Sequence, residues 1–248
     1  MSIRALFLMA VLSISASFVR AEVVVFAAAS LKEPLDRIAA EFGDVVVSYG
    51  GSGTLARQVG LGAPADVVLL ANADWMTVLS EEGDVQEASV VDFASNRLVL
   101  IGPADAAAVA LTEASMLSAL GEGRIAVGFT KAVPAGIYAK AALQSLGLWR
   151  SLSARLAEVD NVRAALALVA RGQAPLGIVY QSDVRVSGNV KELAVFPNET
   201  HPPIRYVGAV TTHAAGPEPA AFLDYLLGDA GQVAMADAGF LPPMEQRE

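Results

Sequence analysis

Two hydrophobic rhythms alternate along the chain. Short runs rich in Val, Ile and Leu occupy residues 23–26, 45–48, 67–70, 98–101, 125–127, 176–180, 193–196 and 206–210. They are apolar without alternation, the pattern of strands buried on both faces. Between them, residues 31–42, 54–59, 74–82, 135–146, 162–170, 219–227 and 230–238 place apolar side chains at helical spacing. Strands that alternate with helices in this way predict an α/β protein with mostly parallel sheets and right-handed crossovers. No internal repeat or low-complexity linker interrupts the pattern.

Four of the expected strand-to-helix junctions are built from small residues. Ala27-Ala28-Ala29-Ser30 closes the first strand, and Gly50-Gly51-Ser52-Gly53-Thr54 closes the second. Val133-Pro134-Ala135-Gly136 opens a third helix with Pro near its first position, and Asp160-Asn161-Val162 opens a fourth. A helix N-terminus presents unpaired N–H groups and the positive end of the macrodipole, and so suits an anion. Small residues let the backbone approach a ligand, and in open α/β sheets such junctions lie where ligands bind.

Each junction also has a purely structural reading. Ser30 with Glu33 fits the capping box S-x-x-E, in which Glu33 would occupy the Ser30 amide. Gly50 to Gly53 fits a turn, and Asn161 fits an ordinary N-cap. Tyr180, at the end of an apolar strand, fits a core position with a satisfied hydroxyl. His201, before Pro202-Pro203, and His213, near Gly216-Pro217, read as solvated loop residues. Lys32 and Arg163 neighbour the junctions but are expected to point elsewhere.

The first 21 residues have the anatomy of a secretory signal peptide: Arg4, an apolar run over residues 5–19, then Val19-Arg20-Ala21 with small residues at −3 and −1. The run is shorter than a bilayer span. Cleavage after Ala21 would remove two of 17 basic residues and none of 26 acids, taking the net charge from −9 to −11. The expected product is exported and soluble.

Composition then removes whole classes of function. The absence of Cys excludes disulfides, thiolate metal sites, thiol catalysis and a Cys-linked lipid anchor. The acidic balance argues against nucleic acid. Two His leave little for a His-rich metal site, and a ferric site would want clustered Tyr, His and carboxylates. A secreted serine hydrolase with Ser52 as nucleophile is the reading from another class. The elbow G-x-S-x-G fails at Thr54, however, and His201 would be the only base.

Taken together, these stretches resemble the periplasmic molybdate-binding proteins of bacterial ABC transporters. The resemblance rests on V-F-A-A-A-S-L at 25–31, G-S-G-T-L-A-R at 51–57, G-A-P-A-D at 62–66 and Trp75-Met76. It continues through V-P-A-G-I-Y-A-K-A-A-L at 133–143, Val162-Arg163 with A-L-A-L-V at 165–169, A-P-L-G-I-V-Y at 174–180 and Ser182-Asp183. It implies a two-lobed periplasmic binding protein fold: two α/β lobes, each a mostly parallel sheet flanked by helices, hinged by two crossovers. The lobes are expected at 22–94 with 208–248, and at 95–207.

The implied function is capture of one tetrahedral oxyanion and delivery to a membrane permease by a monomeric, periplasmic protein without lipid anchor, cofactor or catalytic activity. The implied ligand is molybdate, with tungstate and then a sulfate-type oxyanion as alternatives, and molybdenum is bound only in that form. The shell carried over is the Ser30 and Ser52 hydroxyls and amides, the Ala135 and Val162 amides, and the Tyr180 hydroxyl. Some members of that family have serines where this chain has Gly51 and Gly53, so the extra hydroxyl donors are absent here while the backbone amides remain.

Overall fold

A computed structural model describes residues 22–244. The expected signal peptide lies outside these residues, as do the last four. Among the described residues ten strands build two five-stranded sheets. They are β1 (Val23–Ala28), β2 (Val45–Gly50), β3 (Val67–Leu70), β4 (Val91–Ser95), β5 (Leu98–Pro103), β6 (Ile125–Gly128), β7 (Leu156–Val159), β8 (Leu176–Tyr180), β9 (Val190–Val195) and β10 (Arg205–Val210). The helices are α1 (Lys32–Phe42), α2 (Ser52–Gly60), α3 (Ala73–Glu82), α4 (Glu113–Leu120), α5 (Pro134–Ser145), α6 (Trp149–Leu152), α7 (Val162–Ala170), α8 (Gln181–Val184), α9 (Glu218–Leu227) and α10 (Asp229–Asp237).

The first sheet runs β2-β1-β3-β10-β4 and the second β7-β6-β8-β5-β9. In the first, β1 pairs in parallel with β2 and β3, while β10 is antiparallel to β3 and β4. The second repeats the scheme: β6 is parallel to β7 and β8, and β5 is antiparallel to β8 and β9. Each sheet is therefore mixed, with four strands sharing one direction and one reversed. The reversed strand is in each case the one the chain enters directly after leaving the other sheet. Those passages occupy residues 96–97 and 196–204. The return comes earlier than expected from sequence, since Arg205, Tyr206 and Val207 already pair with β4.

Burial on both faces explains the unbroken apolar runs of the inner strands, whereas the edge strands β2 and β9, expected from sequence to be buried, leave Val46 and Val195 exposed. In β3, Val67 and Leu69 join one core cluster while Val68 and Leu70 join another on the opposite face. Each such side chain contributes roughly 1.5–3 kcal/mol on burial. β4 and β7, which carry Asp92 and Glu158, lack that run and were not legible as strands. The helices α4, α6 and α8 were likewise not expected from the pattern. Gly136 has a packing reason: a Cβ there would collide with the Gly128 carbonyl, so only glycine lets α5 sit this close to β6.

Candidate functional site

The carboxyl ends of the six parallel strands converge on one cavity. β1 delivers Ala28, Ala29 and Ser30, β2 delivers Gly50, Gly51 and Ser52, and β3 delivers Ala71. From the second sheet, β6 leads to Val133, Pro134 and Ala135, β7 to Asn161 and Val162, and β8 ends in Tyr180. All five residues singled out from the sequence line this space. It is small: the volume open to the centre of a water-sized sphere is about 10 Å³, far below the roughly 300–1,000 Å³ of pockets for drug-sized ligands.

The lining presents donors. Ser52 is the first residue of α2, and its Oγ accepts the Ala71 N–H at 3.1 Å, which leaves its own proton to be given elsewhere. Ser30 lies in the short 3-10 turn Ala29–Leu31, with its Oγ 2.9 Å from the Tyr206 hydroxyl. Ala135 is second in α5 and Val162 first in α7, positions whose N–H groups have no partner within the helix. The Asn161 side chain does act as a cap, accepting from Ala164 N–H at 3.0 Å. Tyr180 is buried, and its hydroxyl has no hydrogen-bond partner among the described residues. Burial holds its pKa well above the ordinary phenol value, so it remains a proton donor.

The electrostatics of the helix ends differ by location. α1, α3, α4, α9 and α10 each carry an acid in the first turn. The three helices that open on the cavity, α2, α5 and α7, carry none. Acids normally compensate the positive end of a helix. Here three such ends are left uncompensated where they meet, and among the other described α-helices only the single-turn α6 also lacks a first-turn acid.

The lobes are closed on one another around the cavity. Trp75 Nε1 donates to the Ala132 carbonyl at 3.0 Å, and Asn72 Nδ2 to the Tyr138 hydroxyl at 3.2 Å. Gly51 and Gly53 lie at this seam. A Cβ on Gly51 would collide with the Asp160 carbonyl, and one on Gly53 would come 2.5 Å from the Ala132 carbonyl. Serines at these positions would hold the lobes apart, whatever donors they added.

Arg163, read from sequence as pointing away, stays out of the lining but closes the seam. Its guanidinium donates to the Ser30 carbonyl at 3.0 Å and to both carboxylate oxygens of Glu33. The Ser30–Glu33 capping box therefore does not form. Lys32 turns outward to Asp36 at 2.7 Å. Arg163 Nε also lies 2.8 Å from Asp183 Oδ1, a Coulombic contact out of hydrogen-bond line. Asp183 is fully buried and accepts the Tyr180 N–H at 2.9 Å. Burial pushes its pKa up to about 6, with Arg163 pulling the other way.

His201 also departs from the expectation. It is buried, packs 5.9 Å from the Tyr138 ring, and brings Nδ1 within 2.8 Å of the Pro202 carbonyl. The Ser52 hydroxyl is engaged by a backbone amide rather than an imidazole. His213 is exposed as expected.

Two lobes joined by two crossings, with a small donor-lined cavity between them, define a solute-binding protein. The chain belongs to the family of bacterial extracellular solute-binding proteins, which it matches over residues 23–241. It is 43% identical to the molybdate-binding protein ModA of Escherichia coli K12 over 215 residues, 84% of each chain. It is 40% identical to the ModA protein of Haemophilus influenzae over 228 residues, 89% of this chain and 90% of that one. Among solved structures it resembles the periplasmic molybdate-binding protein of Azotobacter vinelandii, with a TM-score of 0.78 and 24% identity, covering 90% of this chain and all of that one.

Proposed function

We propose that this protein binds molybdate between its lobes and delivers it to the permease of an ABC importer, acting outside the cytoplasm as a monomer without catalytic activity. The observation that carries this reading is the set of three acid-free helix ends joined by a buried, unpartnered tyrosine hydroxyl around one small cavity. The proposed ligand contacts are the Ser30 and Ser52 hydroxyls and amides, the Ala135 and Val162 amides, and the Tyr180 hydroxyl. The proposed lobes are residues 22–95 with 205–244, and residues 98–195. The likeness to molybdate-binding relatives over most of the chain supports the choice of ligand.

Neutral donors suffice for a dianion when every oxygen is served. Charge-assisted hydrogen bonds contribute roughly 1.5–3 kcal/mol each, and each helix end adds about 0.3–1 kcal/mol. Several of them, drawn from both lobes, offset the desolvation of the ion. Donors that accept no proton disfavour hydrogen phosphate, whose own O–H would face an N–H or O–H. A cage of fixed size favours molybdate and tungstate over the smaller sulfate. The net charge of −9 repels anions at long range, so selection happens at contact.

The test is calorimetric titration of the protein with molybdate, tungstate, sulfate and phosphate, paired with thermal denaturation. At a hundredfold excess over Kd, a bound ligand stabilises the fold by about 2.7 kcal/mol, which appears as a shift of several degrees for molybdate and tungstate. Heat and melting curves unchanged by every oxyanion would refute the reading.

A further inference from the structure

A buried chain of polar groups runs from the crossing between the sheets to the cavity wall. Asn96 lies in the two-residue passage between β4 and β5 and is buried. Its Oδ1 accepts the Arg97 N–H at 2.9 Å and the Ser182 N–H at 3.4 Å. Two backbone donors on one oxygen fix the orientation of the amide, so Nδ2 must face the other way. Nδ2 donates to Ser182 Oγ at 2.8 Å and points its second hydrogen at the Tyr206 hydroxyl oxygen, 3.5 Å away. That oxygen, approached by a donor, has its own proton left for Ser30 Oγ at 2.9 Å. With its oxygen filled from behind, the Ser30 hydroxyl has its proton left for the cavity.

Tyr206 does not line the cavity, and it is fully buried against Phe93, Tyr180 and Phe240. A phenylalanine would satisfy that packing, and the hydroxyl has no partner beyond Ser30 and Asn96 among the described residues. Ser52 is polarised in the same sense by the Ala71 amide. A serine hydroxyl left to itself rotates and can accept as readily as donate. We propose that Tyr206, oriented by Asn96, is a positioning residue that holds the Ser30 hydroxyl as a one-way donor and thereby sets the preference of the cavity for oxyanions that carry no proton. This inference rests on the proposed oxyanion-binding function.

The test is a double-mutant cycle on the full chain with Tyr206→Phe, Ser30→Ala and the double variant, titrated with molybdate and with inorganic phosphate near neutral pH. Tyr206→Phe is expected to weaken molybdate about tenfold, the scale of one charge-assisted hydrogen bond. Hydrogen phosphate, which brings a proton for the freed Ser30 oxygen, should hold its affinity or tighten, so the molybdate-to-phosphate ratio narrows about tenfold or more. In the Ser30→Ala background, Tyr206→Phe should change neither affinity. A purely structural hydroxyl would lower the melting temperature of the ligand-free protein and leave that ratio unmoved. An unchanged ratio, or an undiminished Tyr206→Phe effect without the serine, would overturn the assignment while the oxyanion reading stands. Failure of the parent protein to bind molybdate would remove both.

Discussion

The guanidinium of Arg163 donates to the carbonyl oxygen of Ser30 across the seam between the lobes, 133 positions away in sequence. The same side chain holds Glu33 on the first lobe and lies against buried Asp183 on the second. One arginine therefore ties the entry to α1 to the strand end that carries Tyr180, just outside the cavity.

Glu33→Gln removes the cross-lobe ion pair together with the first-turn acid of α1. Glu33 is 45% exposed, so the pair is worth at most about 1 kcal/mol. The expected result is a two- to fivefold weaker molybdate affinity that converges with the parent at high salt, measured by titration at two ionic strengths. Arg163→Met should cost far more, because it leaves Asp183 buried without a counter-charge. Loss of such a partner destabilises by about 3–5 kcal/mol, readable by chemical denaturation.

Tyr180→Phe separates binding from folding. The hydroxyl it removes has no partner among the described residues, so the ligand-free protein should be as stable as the parent or slightly more so. Molybdate affinity should fall roughly ten- to a hundredfold, the equivalent of one hydrogen bond to a charged group. Ser52→Ala behaves differently: it also strands the Ala71 amide, a loss of about 1–3 kcal/mol, so both melting temperature and affinity should drop.

Gly51→Ala tests closure. Gly51 has an extended backbone (φ −73°, ψ 133°) that alanine adopts without strain, and the clash of its Cβ is with the opposite lobe alone. Stability of the ligand-free protein should hold or rise by about 0.4–1 kcal/mol. Affinity should fall more than tenfold by titration. An affinity equal to the parent's would show that the seam yields.

Asp183 gives a pH dependence with a definite sign. Its pKa rises from 3.8 to about 6 in the folded protein. The folded state thus holds its proton more tightly than the unfolded chain, and stability from this group is present below pH 4 and lost as pH rises through 6. With about 1.4 kcal/mol per pKa unit, up to about 3 kcal/mol is involved. Denaturation of the parent and of Asp183→Asn between pH 4 and 6.5 should show the parent losing stability relative to the variant as pH rises.

What could be read from the sequence was local. The small-residue junctions at Ala27–Ser30, Gly50–Thr54, Val133–Gly136 and Asp160–Val162 announce helix ends within a few residues, and all five site candidates line the cavity. The partners that polarise or clamp them are not local. Tyr206 lies 176 positions from Ser30, Asn96 lies 110 from Tyr206, and Arg163 lies 130 from Glu33. No periodicity encodes such pairs, and the local S-x-x-E pattern gave way to one of them. His201 escaped for the same reason: its loop looks solvated until Tyr138 from another element covers it.

The acid-free first turns of α2, α5 and α7 have a consequence for the empty protein. Without an anion, closing the lobes brings three positive helix ends face to face, and like poles push apart. A bound dianion inverts that repulsion and becomes the mortar between the halves. The shut outline of the molecule then serves as a receipt for cargo, legible from outside to any partner that never touches the ion.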